Sequence, residues 1–240
     1  SLWRTLVIFV AFCLAASGTY FWNDIIDIEA DRQHPRKRNR PIASGAISLP
    51  AARAIGTALL LAGVGLSSTV MYWRAPLLVG IYVAVTLSYS FVFRHLAVFD
   101  IVVVASGFVL RAVGGAVATD VFMSKWFLLC TMFGSLFVVA GKRYAELREL
   151  GDGAEGARRT METYTVPFLR MVVTLACGAT IVSYCIWAFD TGSLDPGPFP
   201  FYELSVAPML IALLRYALVL EAGRGAAPEE VFLEDRALQA

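Results

Sequence analysis

The chain alternates long apolar stretches with short polar breaks. Seven stretches reach or approach the ~20 apolar residues that a membrane-spanning helix needs. They run from Leu2 to Trp22, Ala51 to Tyr72, Pro76 to Phe93, Phe99 to Ala118, Trp126 to Ala140, Val166 to Phe189 and Phe201 to Leu220. Residues 73–75, 94–98 and 119–125 form short connections. Residues 23–50 and 141–165 form long, charged ones, and residues 190–200 contain no Lys or Arg. Pro76 and Pro167 stand at predicted helix starts, where a missing N–H costs nothing. Gly56, Gly63, Gly107, Gly114 and Gly115 lie inside predicted helices, as close helix contacts in lipid require. The pattern predicts an all-α, polytopic transmembrane helix bundle forming one domain over residues 1–240.

Composition agrees with a lipid environment. Hydrophobic residues make up 58% of the chain and charged residues 16%, where a soluble domain carries about 25% charged. The net charge of +1 conceals segregation. If the helices alternate in direction, the connections 23–50, 94–98 and 141–165 and the C-terminal tail share 13 Lys and Arg, against three on the other side. That bias puts both long loops in the cytoplasm. Cys13, Cys130, Cys177 and Cys185 all lie in apolar runs with no C-x-x-C pair, so neither a disulfide framework nor a zinc site is expected. The bilayer is the expected surroundings, a homo-oligomer is compatible with the composition, and no nucleic-acid partner is expected. The chain enters an apolar helix from Ser1 without a basic leader, so no signal peptide is expected. Its abrupt ends predict a piece of a longer chain.

The first long loop carries the chemistry. It begins N-D-I-I-D-I-E-A-D-R-Q-H-P-R-K-R-N-R-P-I-A-S-G from Asn23. If the first helix continues through it, Asp27, Asp31 and Asn23 fall at about −60°, −20° and −100° from Asp24, whereas Glu29 falls at about +140°. Three carboxylates and one amide then share a face at the membrane surface. Such carboxylates repel one another unless a cation lies between them. Mg²⁺ takes oxygen ligands and binds through one or two carboxylates plus substrate phosphates. Asp24, Asp27, Asp31 and Asn23 are therefore the expected metal site. Lys37 and Arg40, which follow at once, are the expected clamps for a diphosphate. His34 before Pro35 reads as a turn or phosphate contact rather than a metal ligand.

The N-D-x-x-D-x-x-x-D run followed by R-P-I-A-S-G resembles the first signature of the UbiA superfamily of membrane prenyltransferases. The stretch Phe99 to Ala118 resembles a helix of that family. The resemblance covers nearly the whole chain. It implies a nine-helix bundle, of which this chain would span the second to the eighth helix. Most members carry a second Asp-rich signature where this chain reads G-K-R-Y-A-E-L-R-E-L-G, from Gly141 to Gly151. Lys142, Arg143 and Tyr144 stand there instead, which suits an additional phosphate rather than a second metal pair. The spacing D-x-x-H-P-x-K-x-x-R-P resembles one subfamily in particular, the decaprenyl-phosphate phosphoribosyltransferases.

That resemblance implies transfer of 5-phosphoribose from phosphoribosyl diphosphate (PRPP) to a polyprenyl phosphate, with loss of pyrophosphate. It further implies a Mg²⁺-dependent site facing the cytoplasm of a bacterial plasma membrane, and a product used for arabinose units of the cell envelope. Lys142, Arg143 and Tyr144 would hold the 5-phosphate or the acceptor phosphate. An ionised acceptor phosphate needs no general base, and the sequence offers no Ser-His-Asp or Cys-His set. Arg111, inside a predicted span, either lines a cavity near a phosphate or forms a structural pair. Two other functions stay open. One is a UbiA-type prenyltransferase acting on an aromatic acceptor, which the missing second aspartate pair disfavours. The other is a transporter, which would show polar residues along a trans-bilayer path.

Overall fold

The structure, a computed structural model, describes residues 2–33, 37–70, 73–150, 163–194, 197–223, 225, 227–228, 231, 233 and 235. The described residues contain helices and no strand. The helices are α1 (Leu2–Ile26), α2 (Ile28–Gln33), α3 (Leu49–Ser67), α4 (Arg74–Phe91), α5 (Phe99–Thr119), α6 (Lys125–Leu150), α7 (Val166–Leu194), α8 (Phe201–Leu204) and α9 (Val206–Glu221). Among these residues seven segments are long and apolar enough to cross a membrane: α1, α3, α4, α5, most of α6, α7, and α8 with α9. They correspond one to one with the seven apolar stretches. Large apolar side chains stay exposed along them, including Phe9, Leu61, Leu175 and Ile211. That is the surface a lipid solvent permits and water does not.

Two boundaries differ from the sequence reading. α6 continues to Leu150, so residues 141–150 are helix rather than loop. The K-R-Y-A-E-L-R-E-L run is rich in helix formers, and Arg143 pairs with Glu146 one turn on, at 2.7 Å. α1 continues past Trp22 to Ile26. After a one-residue turn at Asp27 the chain resumes as α2, and the helical hydrogen bonds Asp27 N–H to Asn23 C=O (2.9 Å) and Asp31 N–H to Asp27 C=O (2.8 Å) run through the break. Most of residues 151–165, together with His34 and Arg36, lie outside the described residues.

The chain forms two compact units. One comprises residues 1–94 and 110–122, the other residues 95–109 and 123–240. In the first unit α1 lies against α3 and α4 over a core that includes Val7, Ile8, Phe12, Ala15, Val79 and Tyr82. Small residues set the spacing. A Cβ added to Gly63 would sit 2.8 Å from the carbonyl oxygen of Ala11, and one on Gly18 would sit 2.9 Å from that of Gly56. Only glycine lets the two backbones approach so closely, the usual device where the hydrophobic effect cannot drive helix association. In the second unit α6, α7 and α9 share a core that includes Phe137, Leu169, Ala176, Tyr216 and Leu220. Phe137 and Tyr216 meet edge to face with centroids 5.5 Å apart.

Candidate functional site

In the first unit the α1–α2 junction displays the acidic face. Asp24 and Asp31 converge on one nitrogen: Arg40 Nη1 donates to Asp24 Oδ1 at 2.8 Å and to Asp31 Oδ2 at 2.9 Å. Asp31 is almost fully buried, whereas Arg40 is 39% exposed along its side chain. Glu29 points away and pairs with Arg32 at 3.1 Å, as its place on the helical wheel predicts.

The R-P-I-A-S-G run explains how Arg40 gets there. The chain folds back on itself through the bonds Ser44 N–H to Arg40 C=O (2.9 Å) and Ile47 N–H to Pro41 C=O (2.9 Å). Gly45 takes φ +82° at the turn, a conformation glycine adopts without cost. Ile42 and Ala43 are buried beneath it, and Arg32 Nε donates to the Ala43 carbonyl at 3.3 Å. Ser48 then caps α3 by accepting from Ala51 N–H, with Pro50 in the first turn. The turn therefore delivers Arg40 to the carboxylates as a fixed part of the fold. Lys37 lies just ahead of it in a 3₁₀ turn, Lys37–Asn39, and its charge reaches Asp24.

Asp27 has different company. One of its oxygens pairs with Arg94, and the other accepts from Asn23 Nδ2 at 3.4 Å. Ser90 Oγ donates to Asn23 Oδ1 at 3.2 Å and so orients the amide. The three aspartates therefore share a face without meeting at one point. Among the described residues no group of three His, Cys, Asp or Glu is close enough to hold a metal ion. The turn at Asp27 and the two intervening arginines account for the difference from the sequence reading. The convergent oxygen pair of Asp24 and Asp31, with Asp27 and Asn23 alongside, still fits Mg²⁺, which needs one or two carboxylates and takes its other ligands from phosphates and water.

Arg111 belongs to the same unit. Its Nη2 donates to the Tyr82 hydroxyl at 2.7 Å, and its guanidinium lies 5.1 Å from the centre of that ring. Tyr82 is buried, so this charge within a span is held by a fixed phenol.

The second unit holds two further polar clusters. In the first, the buried Asp100 accepts from Arg143 Nε at 3.2 Å and from the Tyr164 hydroxyl. Arg143 also reaches Glu146. Tyr164 in turn accepts from Val98 N–H at 2.6 Å. Val98 takes φ +71°, a costly conformation for a β-branched residue. Burial, together with the bond to Asp100, pushes the Tyr164 phenol well above the ordinary tyrosine range, so it remains a donor. Lys142 beside Arg143 is half-buried.

The second cluster surrounds Tyr144, which is fully buried. Its hydroxyl donates to Glu221 Oε1 at 3.0 Å and accepts from Arg170 Nη2 at 3.1 Å. Arg148 and Arg170 lie 5.6 and 5.9 Å from the centre of its ring.

Several of these residues escaped the sequence reading: Ser90, Arg94, Asp100, Tyr164, Arg170 and Glu221. Asp100 and Arg94 carried a detectable signal, since each is a charge at the edge of an apolar span. Nothing in the sequence reveals their partners.

Comparison with known proteins gives a consistent answer. The UbiA prenyltransferase family model matches residues 1–236. The decaprenyl-phosphate phosphoribosyltransferase of Corynebacterium glutamicum is 43% identical, over 97% of this chain and 70% of that protein. The Mycolicibacterium smegmatis protein of the same name is 45% identical, over 98% of this chain and 76% of its own length. A solved UbiA homologue from Archaeoglobus fulgidus, bound to DMAPP and Mg²⁺, superposes with a TM-score of 0.80 at 13% identity, covering 97% of this chain and 82% of that one. The chain belongs to the UbiA prenyltransferase family. It is an integral membrane protein and a transferase.

Proposed function

We propose that this UbiA family member is an integral-membrane phosphoribosyltransferase. It moves 5-phosphoribose from PRPP to a polyprenyl phosphate of the decaprenyl type and releases pyrophosphate. The observation that carries this reading is the 43–45% identity to two decaprenyl-phosphate phosphoribosyltransferases over nearly the whole chain. The absence of the family's second aspartate pair from residues 141–151, where Lys142 and Arg143 stand instead, supports it against prenyl transfer to an aromatic ring. The Lys and Arg bias supports a cytoplasmic site in a bacterial plasma membrane. The product suits a precursor of envelope arabinose units.

Asp24 and Asp31, with Asp27 and Asn23 beside them, are the proposed holders of Mg²⁺. When bound, Mg²⁺ supplies charge neutralisation to the diphosphate as it departs. Arg40 is already fixed between two carboxylates and has half-exposed surface to offer the same diphosphate. Lys37 adds a second cation, and Arg94 orients Asp27. The C1–oxygen bond of PRPP breaks towards pyrophosphate, and an oxygen of the lipid phosphate forms the new bond to C1. That oxygen is already ionised near neutral pH, so no residue has to remove a proton.

Lys142 is the proposed contact for a further substrate phosphate, while its neighbour Arg143 is committed to Asp100 and Glu146. Tyr144 is buried, and its hydroxyl is taken up by Glu221 and Arg170, so it is assigned no phosphate contact of its own. Arg111 is proposed to face a substrate phosphate from the Tyr82 hydroxyl.

The test uses membranes containing the protein, labelled PRPP and a polyprenyl phosphate, with Mg²⁺ or EDTA. Label is expected in lipid only with Mg²⁺. Label absent from lipid, with Mg²⁺-dependent turnover of a prenyl diphosphate and an aromatic acceptor, would place the chain with the quinone-type enzymes.

A further inference from the structure

The cluster around Tyr144 has surface to spare. Arg148 from α6 and Arg170 from α7 meet one carboxylate, Glu221 at the end of α9: Arg148 Nη1 lies 3.7 Å from Glu221 Oε2 and Arg170 Nε lies 3.2 Å from Oε1. Both guanidiniums also donate to the same phenol oxygen, at 3.5 and 3.1 Å. Two positive charges thus share one negative charge, and Tyr144 holds them in place from below. The Arg170 side chain is 57% exposed, so its charge is available to something outside the protein.

Beside Arg170 lies a groove of about 400 Å³ along the first turns of α7, lined by Val166, Pro167, Arg170, Met171, Thr174 and Leu175. Its lining is apolar apart from Arg170 and Thr174. Met171 and Leu175 are 51% and 65% exposed. α7 is one of the seven spans, so the groove begins at a span's end and runs along its apolar side. An arginine at a membrane surface followed by an apolar channel into the bilayer matches the shape of a lipid, with headgroup phosphate at one end and acyl chain at the other.

The charge distinguishes between lipids. Arg148, Arg170 and Glu221 together leave one unit of positive charge. That complements a phosphodiester, which carries a single negative charge, better than the phosphate monoester of a polyprenyl phosphate, which approaches two. We propose that this groove docks an anionic phospholipid of the surrounding membrane, its phosphodiester on Arg170 and Arg148 and one acyl chain over Met171 and Leu175. The site is separate from the transfer chemistry and does not rest on the phosphoribosyl reading.

The test is native mass spectrometry of the full-length protein released from mixed micelles containing equal phosphatidylglycerol and phosphatidylcholine. The wild type is expected to retain phosphatidylglycerol preferentially. Arg170→Ala should weaken that preference about fivefold, and Arg148→Ala with Arg170→Ala should abolish it. Met171→Trp leaves the arginines intact and fills the groove, so it should reduce retention of either lipid. Circular dichroism and size-exclusion profiles confirm that each variant folds. An unchanged phosphatidylglycerol preference in the double variant overturns the proposal. So does displacement of phosphatidylglycerol by an equal amount of polyprenyl phosphate, which would make the groove an acceptor-lipid site.

Discussion

The two units contain the same device in different settings. In each, one arginine bridges two carboxylates: Arg40 between Asp24 and Asp31, and Arg143 between Asp100 and Glu146. The Arg40 side chain is 39% exposed and comes from a turn, whereas that of Arg143 is 10% exposed and comes from the last third of α6. An exposed guanidinium can exchange one anionic partner for another at little cost, because water screens it during the exchange. A buried one cannot, since removing either partner strands a charge in a poor solvent. The lesson is that the bridge alone does not mark a reactive site. Its exposure decides whether it can bind an arriving diphosphate or serves to hold the fold.

The largest expected effect lies at the buried bridge. Asp100→Ala should destabilise the protein by about 3–5 kcal/mol, the usual cost of breaking a buried pair. Thermal unfolding in detergent measures this, and Asp100→Leu with Arg143→Met should recover part of the loss. A melting temperature unchanged by Asp100→Ala would erase the contrast with the first unit.

The exposed bridge should respond in the opposite sense. Asp24→Asn with Asp31→Asn is expected to cost about 100-fold or more in transfer rate, some 2.7 kcal/mol of barrier, with a melting temperature close to that of the wild type. A fall in stability as large as that of Asp100→Ala would show that these carboxylates serve the fold instead.

Packing comes next in size. Gly63→Ala forces a methyl against the Ala11 carbonyl oxygen and should cost about 1–3 kcal/mol by overpacking. The same melting experiment checks it, and Gly65→Ala, where the added methyl meets nothing within 4 Å, is the control.

The smallest effect is a pH dependence. The Tyr164 phenol is raised in the folded state and ordinary in the unfolded one. Its contribution to stability is therefore complete below about pH 10, the ordinary tyrosine value, and declines as pH rises beyond it. Tyr164→Phe should flatten that decline, seen as a smaller drop in melting temperature between about pH 9 and pH 11. An identical slope in both proteins would mean that Tyr164 ionises freely.

The spans were legible because a bilayer imposes one rule on every helix that crosses it. The acidic face was legible because helical periodicity places Asp24 and Asp31 together before any packing is known. The end of α6 was less so, since the charged residues from Lys142 onward look like loop to an apolarity scan, whereas their one-turn spacing favours helix. The partners were hidden for a different reason. Arg94 is 67 residues from Asp27, Tyr164 is 64 from Asp100, and Glu221 is 77 from Tyr144. No local pattern encodes pairs that tertiary folding brings together. The sequence reading assigned the whole acidic set to a metal, but Arg40 and Arg94 take part of that role as built-in counter-ions.

The most direct test of the account compares pyrophosphate release by the protein in two reactions. One supplies PRPP with decaprenyl phosphate, and the other a prenyl diphosphate with an aromatic acceptor. Both are run in Mg²⁺ with the wild type and with Asp24→Asn plus Asp31→Asn. The account predicts release in the first reaction alone, dependent on the lipid phosphate and abolished in the variant. Release in the second reaction, or release in the first that survives loss of both carboxylates, would contradict it.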